Sequence, residues 1–388
     1  GRPLAGLAAL LLAALALRPQ VVGAGPLFPD IEHDLGASHA VVGLLGTIPV
    51  LCMGLFAPPA AFLASLLGTG RAIAASLACV GVFGLLRAAA PEMWQIVVLT
   101  FPVGMGMGLS GALIPVAVKE RFADRAASAT GLYTMGIQIG STGAAALAVP
   151  IAAWLGGWRW ALAAFSVGAL LSTVTWVLLE TRTANAPPTR VRPPRLPWRS
   201  PVALLLTLIF ALMGSGYYGL NAWLADAYTE LGWSEGRAGA LLACLTLTAI
   251  PTSLLVPWLS ERFFTRQALL ASLSFVYAGA AAGLVALPSL AWGLVLLAGL
   301  AQGGLFSLVL TLPLDIGRRP GEVGALIGIM LGGGYCLAAL SPFVLGAVRD
   351  VTGSFNGPLW VAAGLLASQV VAVLVLPTVR ARDSAFAG

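Results

Sequence analysis

Arg18 stands inside the first long apolar stretch of the sequence. It precedes Phe28 by ten residues, which at the α-helical rise is roughly 15 Å below the outer end of a spanning helix. A charge near the middle of a membrane costs several kcal/mol unless it is paired, and such residues normally face a cavity. A guanidinium binds planar oxyanions through two parallel hydrogen bonds. We therefore predict that Arg18 binds an anionic or strongly electronegative ligand; the alternative is a structural arginine held by backbone carbonyls or tyrosine hydroxyls.

Polar and aromatic side chains in other apolar stretches form a second set of candidates. Tyr218 and Asn221 are three residues apart and share one face of a helix. They either line a binding pocket or form hydrogen bonds between helices. Trp223, nearer the outer end, is typical of an aromatic anchor at the membrane interface. The same two alternatives, ligand contact or helix packing, apply to four further residues: Tyr133, Gln302, Phe306 and Tyr335.

The composition requires membrane helices to position these side chains. The chain is 59% hydrophobic and 9% charged, whereas a soluble domain carries roughly 25% charged residues. Its apolar runs are long enough to cross a hydrocarbon core of ~30 Å as helices. We predict an all-α membrane protein with twelve transmembrane helices in two six-helix pseudo-repeats. The predicted spans are 4–28, 40–65, 70–89, 93–118, 127–154, 158–180, 201–225, 236–259, 267–287, 290–314, 322–347 and 358–377.

The distribution of basic residues predicts the orientation. Of the 21 lysines and arginines, Arg18 lies within a span and four lie on the outer side, at Arg87, Arg159, Arg237 and Arg349. All the others lie on the opposite side, which is the cytoplasmic side by the positive-inside rule. Both termini are then cytoplasmic. Because the net charge of +6 follows one side of the membrane, we expect contact with membrane lipid and no nucleic-acid partner.

Two repeated blocks indicate two halves. Residues 27–45 resemble residues 223–241 at a constant offset, and Gly136 and Pro150 pair with Gly328 and Pro342 at a second offset. A parallel repeat of six spans is a known construction of membrane transporters. The polar, proline- and arginine-rich stretch between the halves has the composition of a linker. The predicted domains are an N-terminal half (1–180), a cytoplasmic linker (181–200) and a C-terminal half (201–388).

Three longer stretches carry a family resemblance: ALRPQVVGAGPLFPDIEHDLG (16–36), TGLYTMGIQIGSTGAAALAVP (130–150) and GGGYCLAALSPFVLGAVRDVTGSF (332–355). In them the sequence resembles the major facilitator superfamily and, within it, the cyanate/2-nitroimidazole transporter family. The resemblance implies a twelve-helix transporter of the bacterial inner membrane that works by rocker-switch alternating access. It implies a small-molecule substrate and no cofactor. We expect the protein to act as a monomer.

The loops between spans 2 and 3 and between spans 8 and 9 are the predicted gates. The resemblance implies a Gly-x-x-x-Asp-Arg type signature in the first loop, of which Gly68 and Arg71 are present. The repeat of this loop, WLSERFFTR at 258–266, is closer to the signature. We expect cytoplasmic salt bridges at these loops to stabilise one gate. The predicted gating residues are Arg71, Lys119, Arg121, Glu261, Arg262 and Arg266.

The function predicted from these features is transport of a small anion or electronegative polar solute, cyanate-like, either secondary active or facilitative. The alternative is a multidrug or nitroaromatic exporter, because aromatic linings bind flat rings. An enzyme is not expected, since the sequence offers no Ser/His/Asp or metal-spaced set. No acidic residue and neither His33 nor His39 is predicted at mid-membrane, where proton relays are built. Facilitated diffusion, exchange or efflux, and movement of the substrate with a proton as the neutral acid all stay open.

Overall fold

The computed structural model describes residues 2–37, 39–183 and 196–376. Eleven of its helices are long and apolar enough to cross a membrane, and a twelfth span is a bent pair of shorter helices. The regular structure of these residues is helical. This confirms the prediction of an all-α membrane protein, with twelve spans when the bent pair counts as one. Most of the predicted spans agree with the helices to within a few residues, apart from the first, which extends to Leu35.

Nine α-helices cover the first six spans: α1 (Arg2–Leu15), α2 (Pro19–Val22), α3 (Phe28–Leu35), α4 (His39–Phe56), α5 (Ala60–Leu67), α6 (Thr69–Ala89), α7 (Met93–Arg121), α8 (Ala126–Leu155) and α9 (Trp158–Thr183). Six cover the remainder: α10 (Pro201–Glu230), α11 (Glu235–Arg262), α12 (Arg266–Ala286), α13 (Ala291–Ile316), α14 (Pro320–Thr352) and α15 (Asn356–Leu374). Each long helix is therefore one span, whereas spans 1 and 2 are each divided.

The outer faces of the helices suit lipid. On α9, Leu171, Val174 and Leu178 are all exposed, and their spacing of three and four residues places them on one face. Trp154 and Trp160 are exposed at neighbouring ends of α8 and α9, the position where tryptophan anchors a helix at the membrane–water interface. An apolar stripe with aromatic ends of this kind would be costly in water and is stable in a bilayer.

Prolines divide the first two spans. In span 1, α1 ends at Leu15 and Pro19 begins α2. A proline has no N–H for the helix ladder and favours the first turn of a new helix. In span 2, α4 and α5 meet at a bend of 63°, where Pro58 and Pro59 lie between them. We call residues 16–18, between α1 and α2, the span-1 break.

Glycines allow close packing around α7. A β-carbon at Gly104 would lie 2.8 Å from the Cα of Pro49, and one at Gly106 would lie 2.6 Å from the carbonyl oxygen of Ser76. Pro49 belongs to α4 and Ser76 to α6, so α7 packs tightly between these two helices. A larger residue at either glycine would separate backbones that are now in contact.

The chain divides into two compact units. Unit 1 consists of Gly1–Asp124, Leu132–Leu196 and Gly317–Gly328, and unit 2 consists of Arg125–Gly131, Pro197–Ile316 and Ile329–Gly388. Residues 184–195 of the predicted linker lie outside the described residues. The boundaries of the two predicted halves stay a prediction.

Candidate functional site

Arg18 lies at the span-1 break. Its backbone precedes the first residue of α2, and its carbonyl accepts hydrogen bonds from the N–H groups of Val21 (3.1 Å) and Val22 (3.0 Å). The residue is half-buried within a 30-residue apolar span, Gly6–Leu35. Helix interruptions in a membrane occur where the backbone is buried in protein or lines a cavity, because lipid cannot satisfy the freed polar groups. The break thus places a cation where the helix of the first span is interrupted.

Two glycines of α8 pack against the end of α1. A β-carbon at Gly140 would lie 2.3 Å from the carbonyl oxygen of Leu15, and one at Gly136 would lie 2.9 Å from a methyl group of Leu11. Leu15 is the last residue of α1. The backbone of α8 therefore contacts the end of α1 at a distance that only glycine permits. This contact fixes the position of the α1 end from which the chain continues to Arg18.

Arg87 is a second cation within the apolar helices. It is the third residue from the C-terminal end of α6. Its side chain is fully buried. Its Nη2 donates hydrogen bonds to the backbone carbonyl of Gln20 (2.8 Å) and to the Gln20 side-chain oxygen (2.7 Å). Its Nη1 donates to the hydroxyl of Thr100 at 3.4 Å, and the Gln20 amide donates to the hydroxyl of Ser166 at 2.7 Å. These bonds connect α2 with α6, α7 and α9.

The burial of Arg87 was not expected from the sequence. Arg87 was predicted on the outer side with Arg159, Arg237 and Arg349, as part of the orientation signal. It lies near the C-terminal end of α6, and its guanidinium is buried within unit 1. The predicted span 70–89 already contained Arg87, and this was the available signal. Its partner Gln20 lies 67 positions away in the chain, too far to be recognised from the sequence.

The other predicted ligand residues are divided between the units. Tyr133 is buried on α8 in unit 1. Tyr218 and Asn221 are half-buried on α10 in unit 2, where the Asn221 amide donates to the Tyr217 carbonyl at 2.9 Å. This bond lies within one helix turn, so it is not the interhelical bond considered from the sequence. Gln302 and Phe306 are buried on α13.

Tyr335 on α14 belongs to an aromatic pair. Its ring lies 4.9 Å from that of Phe210 on α10, at an interplanar angle of 76°. Tyr217 and Tyr218 form a similar edge-to-face pair at 5.3 Å. Edge-to-face geometry is the favoured arrangement of aromatic rings and fixes their orientation. Unit 2 thus contains two aromatic pairs, one between α10 and α14 and one within α10.

Trp223 packs against α14, and its position at the membrane interface stays a prediction. Its indole N–H donates to the carbonyl of Pro342 at 2.9 Å, and its ring lies 5.6 Å from that of Phe355. A β-carbon at Gly346 would lie 2.9 Å from the indole. Trp223 therefore joins α10 to α14.

The predicted gating residues of unit 1 lie around the start of α6. Arg71 is exposed in the first turn of α6, and Lys119 is half-buried near the end of α7. The guanidinium of Arg121 lies 5.4 Å from the Trp176 ring centre. Thr69 donates to the carboxylate of Glu120 at 2.7 Å. The end of α7 is thus bonded to the start of α6 through Glu120, a residue that the sequence analysis did not select.

In unit 2 the predicted gating residues have well-defined partners. Glu261 accepts hydrogen bonds from the backbone N–H of Ser128 (2.9 Å) and from the Ser128 hydroxyl. Arg262 lies over the ring of Trp258 at 5.0 Å. Arg266 forms an ion pair with Asp315, which joins the start of α12 to the end of α13.

The fold and the polar groups within it define a class of protein: a multi-pass membrane transporter whose first span is interrupted at an arginine. The sequence matches the Major Facilitator Superfamily over residues 10–342. The chain belongs to this superfamily, as the sequence resemblance predicted.

Comparisons with individual proteins are consistent with this assignment. The chain is 31% identical to the cyanate transport protein CynX of Escherichia coli K12 over 354 residues, which covers 89% of this chain and 90% of CynX. It is 30% identical to the 2-nitroimidazole transporter of the same organism over 358 residues, covering 91% and 90%. Its fold is similar to a crystal structure of the transporter FucP in the outward conformation, with a TM-score of 0.75, 13% identity and coverage of 95% and 98%.

Proposed function

We propose that the protein carries a small anion or strongly electronegative solute, cyanate-like, across the bacterial inner membrane, and that Arg18 binds it. The observation that carries this proposal is the position of Arg18 at the span-1 break, half-buried inside an apolar span. Interrupted helices form the ion and substrate sites of many transporters, because the freed backbone groups supply polar contacts at mid-membrane. A guanidinium adds a permanent positive charge to such a site.

The two bacterial relatives suit one recognition chemistry. CynX is named for cyanate, a small anion, and the second relative for 2-nitroimidazole. A nitro group carries two partly negative oxygens in one plane, which match the guanidinium fork in the way a carboxylate does. A single arginine could therefore select either kind of solute. The remaining predicted contacts, Tyr133, Tyr218, Asn221, Gln302, Phe306 and Tyr335, are retained in this proposal.

Transport is proposed to follow rocker-switch alternating access between the halves 1–180 and 201–388, with both termini in the cytoplasm. The hydrogen bonds of Glu261 with Ser128 and the ion pair of Arg266 with Asp315 support a gating role for the loop between α11 and α12. Arg71, Lys119, Arg121 and Arg262 complete the proposed gate.

The test is ligand-induced thermal stabilisation of the purified protein, followed by uptake of labelled cyanate into proteoliposomes. A ligand that binds the folded state raises its melting temperature in proportion to occupancy. We expect cyanate to stabilise the parent protein and Arg18→Gln to show no shift. Arg18→Lys should require roughly tenfold more cyanate, because an ammonium is more strongly hydrated than a guanidinium.

The matched control is Arg349→Gln, since Arg349 lies partly exposed at the end of α14 near Phe355. This variant should respond to cyanate as the parent does. Equal cyanate responses in Arg18→Gln and the parent would refute the proposal. A response to 2-nitroimidazole alone, retained in Arg18→Gln, would support the nitroaromatic exporter, which the aromatic pairs of unit 2 favour.

A further inference from the structure

Arg87 carries a charge that nothing around it neutralises in the described part of the chain. Its hydrogen bonds go to three neutral oxygens, two on Gln20 and one on Thr100. Its Nε has no hydrogen-bond partner, although the side chain is fully buried. Removing a charge from water is costly, and buried arginines are normally paired with a carboxylate. The environment of Arg87 therefore retains a net positive charge.

One hydrogen-bond partner of Arg87, Gln20, lies next to the span-1 break. Gln20 is the second residue of α2, whose first backbone hydrogen bonds are accepted by the carbonyl of Arg18. The Arg87 guanidinium donates hydrogen bonds to both the backbone carbonyl and the side-chain oxygen of Gln20. The amide of Gln20 is held in turn by Ser166 on α9. This network anchors the short α2 segment to the long helices α6 and α9, and Arg18 is the residue from which that segment starts.

A purely structural role does not require the charge. A neutral amide could donate to the Gln20 carbonyl, and neutral replacements of buried charged groups are often no less stable. What a neutral group cannot supply is positive potential, which acts strongly over short distances in a medium of low dielectric constant. The retained charge therefore points to the attraction of an anion.

We infer that Arg87 is a positioning residue for the anion site: through Gln20 it holds the segment that carries Arg18, and its unneutralised charge strengthens anion binding there. This inference rests on the proposed function, since it assigns Arg87 to the same substrate class, a small anion. It adds a second cation to a site for which the sequence predicted one.

The decisive variant is Gln20→Glu. It leaves Arg87 in place and gives it a carboxylate partner at the position of the present amide oxygen. If Arg87 were only structural, the new ion pair would leave cyanate binding unchanged. On our inference, Gln20→Glu keeps or raises the melting temperature without ligand, yet weakens cyanate binding at least tenfold, because the net charge beside Arg18 is lost.

Substitutions of Arg87 provide a second measurement that separates charge from folding. Arg87→Gln should weaken cyanate binding at least tenfold. Arg87→Lys, which keeps a cation at this position, should bind cyanate with a dissociation constant within about threefold of that of the parent. Arg159→Gln is the matched control: Arg159 also binds a carbonyl at the end of α6, that of Ala88 (3.2 Å), but it has Asp34 as an ion partner at 3.8 Å. This control should change the dissociation constant less than twofold.

A double-mutant comparison tests whether Arg87 acts through Arg18. In an Arg18→Lys background, Arg87→Gln should have a smaller effect on the dissociation constant than in the parent, since coupled residues are not additive. Unchanged cyanate binding in both Gln20→Glu and Arg87→Gln would overturn the inference, as would fully additive effects. If Arg18→Gln binds cyanate as the parent does, the proposed function is wrong. If Arg18→Gln loses cyanate binding but the Arg87 and Gln20 variants keep it, only the inference about Arg87 is wrong.

Discussion

The carboxylate of Glu261, at the end of α11, accepts hydrogen bonds from both the backbone N–H and the hydroxyl of Ser128, in the first turn of α8. The first N–H groups of a helix have no partner inside the helix, and the helix dipole makes this end positive. Glu261 therefore caps the first turn of α8 at Ser128, 133 positions earlier in the chain. The charge of Glu261 thus adds an attraction to the helix dipole to its hydrogen bonds at the start of α8.

Replacing Glu261 by Gln should weaken this cap while keeping its shape. A neutral amide still accepts a hydrogen bond from Ser128, but the attraction between the charge and the dipole is lost, which is worth about 0.3–1 kcal/mol at an exposed site. We expect a small decrease in melting temperature, a several-fold change in the maximal rate of cyanate uptake, and a smaller difference from the parent at high salt, where exposed charges are screened.

Glu322→Gln is the matched control for the Glu261 prediction. Glu322 also accepts hydrogen bonds at the beginning of a helix, from the N–H groups of Arg318 (2.8 Å) and Arg319 (3.3 Å), but these residues precede it directly in the chain. This variant should affect stability and leave the maximal rate within twofold. Equal changes of rate in both variants would argue against a specific gating role for Glu261.

Gly140→Ala should displace the end of α1. The added β-carbon would lie 2.3 Å from the Leu15 carbonyl oxygen, a backbone atom that cannot move aside alone. Overpacking of this kind costs about 1–3 kcal/mol. We expect a lower melting temperature together with weaker cyanate binding, because the displaced helix end leads into the span-1 break at Arg18.

The control for this prediction lies one turn further along α8. A β-carbon at Gly143 would meet no atom within 4 Å. Gly143→Ala should therefore be neutral or stabilise the helix by roughly 0.5–1 kcal/mol, and cyanate binding should not change. Similar losses of cyanate binding in both alanine variants would show that the contact with Leu15 is not the cause.

The number of the spans and the limits of most of them could be predicted, because they follow from apolar length alone. The position of Arg18 in span 1 was also predictable, but the interruption beside it was not, although Pro19 was the signal. The burial of Arg87 was not predictable, because it depends on Gln20, 67 positions away in the sequence. Local composition determines that a segment crosses the membrane, whereas the burial of one charge depends on partners from other helices.

Gln369→Met is expected to stabilise the protein. The Gln369 side chain is fully buried on α15, and neither its nitrogen nor its oxygen has a hydrogen-bond partner. The hydroxyl of the buried Ser274 on the adjacent α12 also has none. Because an unpaired buried polar group costs about 1–3 kcal/mol, an apolar side chain of similar size should raise the melting temperature.

Tyr228→Phe provides the opposite case in the same unit. The buried Tyr228 hydroxyl donates to the Leu284 carbonyl at 2.8 Å, so its removal leaves an acceptor unpaired and should lower stability by about 1 kcal/mol. Thermal unfolding in one detergent compares the two variants directly. A decrease in melting temperature for Gln369→Met would indicate that bound water satisfies the Gln369 amide in the membrane.

Tyr335→Ala distinguishes the two candidate substrates. The Tyr335 ring is held edge-to-face by Phe210 at 4.9 Å, and such a pair contributes about 0.5–1.5 kcal/mol beyond simple burial. If Tyr335 contacts a flat ring in the substrate, its removal should weaken binding of 2-nitroimidazole by roughly tenfold, whereas cyanate, which has no ring to stack, should lose less than threefold.

Tyr335→Phe separates ring contact from hydrogen bonding in this experiment. The ring and its contact with Phe210 are kept, so 2-nitroimidazole should bind nearly as in the parent if stacking is the cause. Thermal shifts with both solutes, measured on the parent and the two variants, give the comparison. If Tyr335→Ala weakens both solutes equally, Tyr335 supports the fold of α14 and does not select the substrate, and the aromatic pairs no longer favour an exporter.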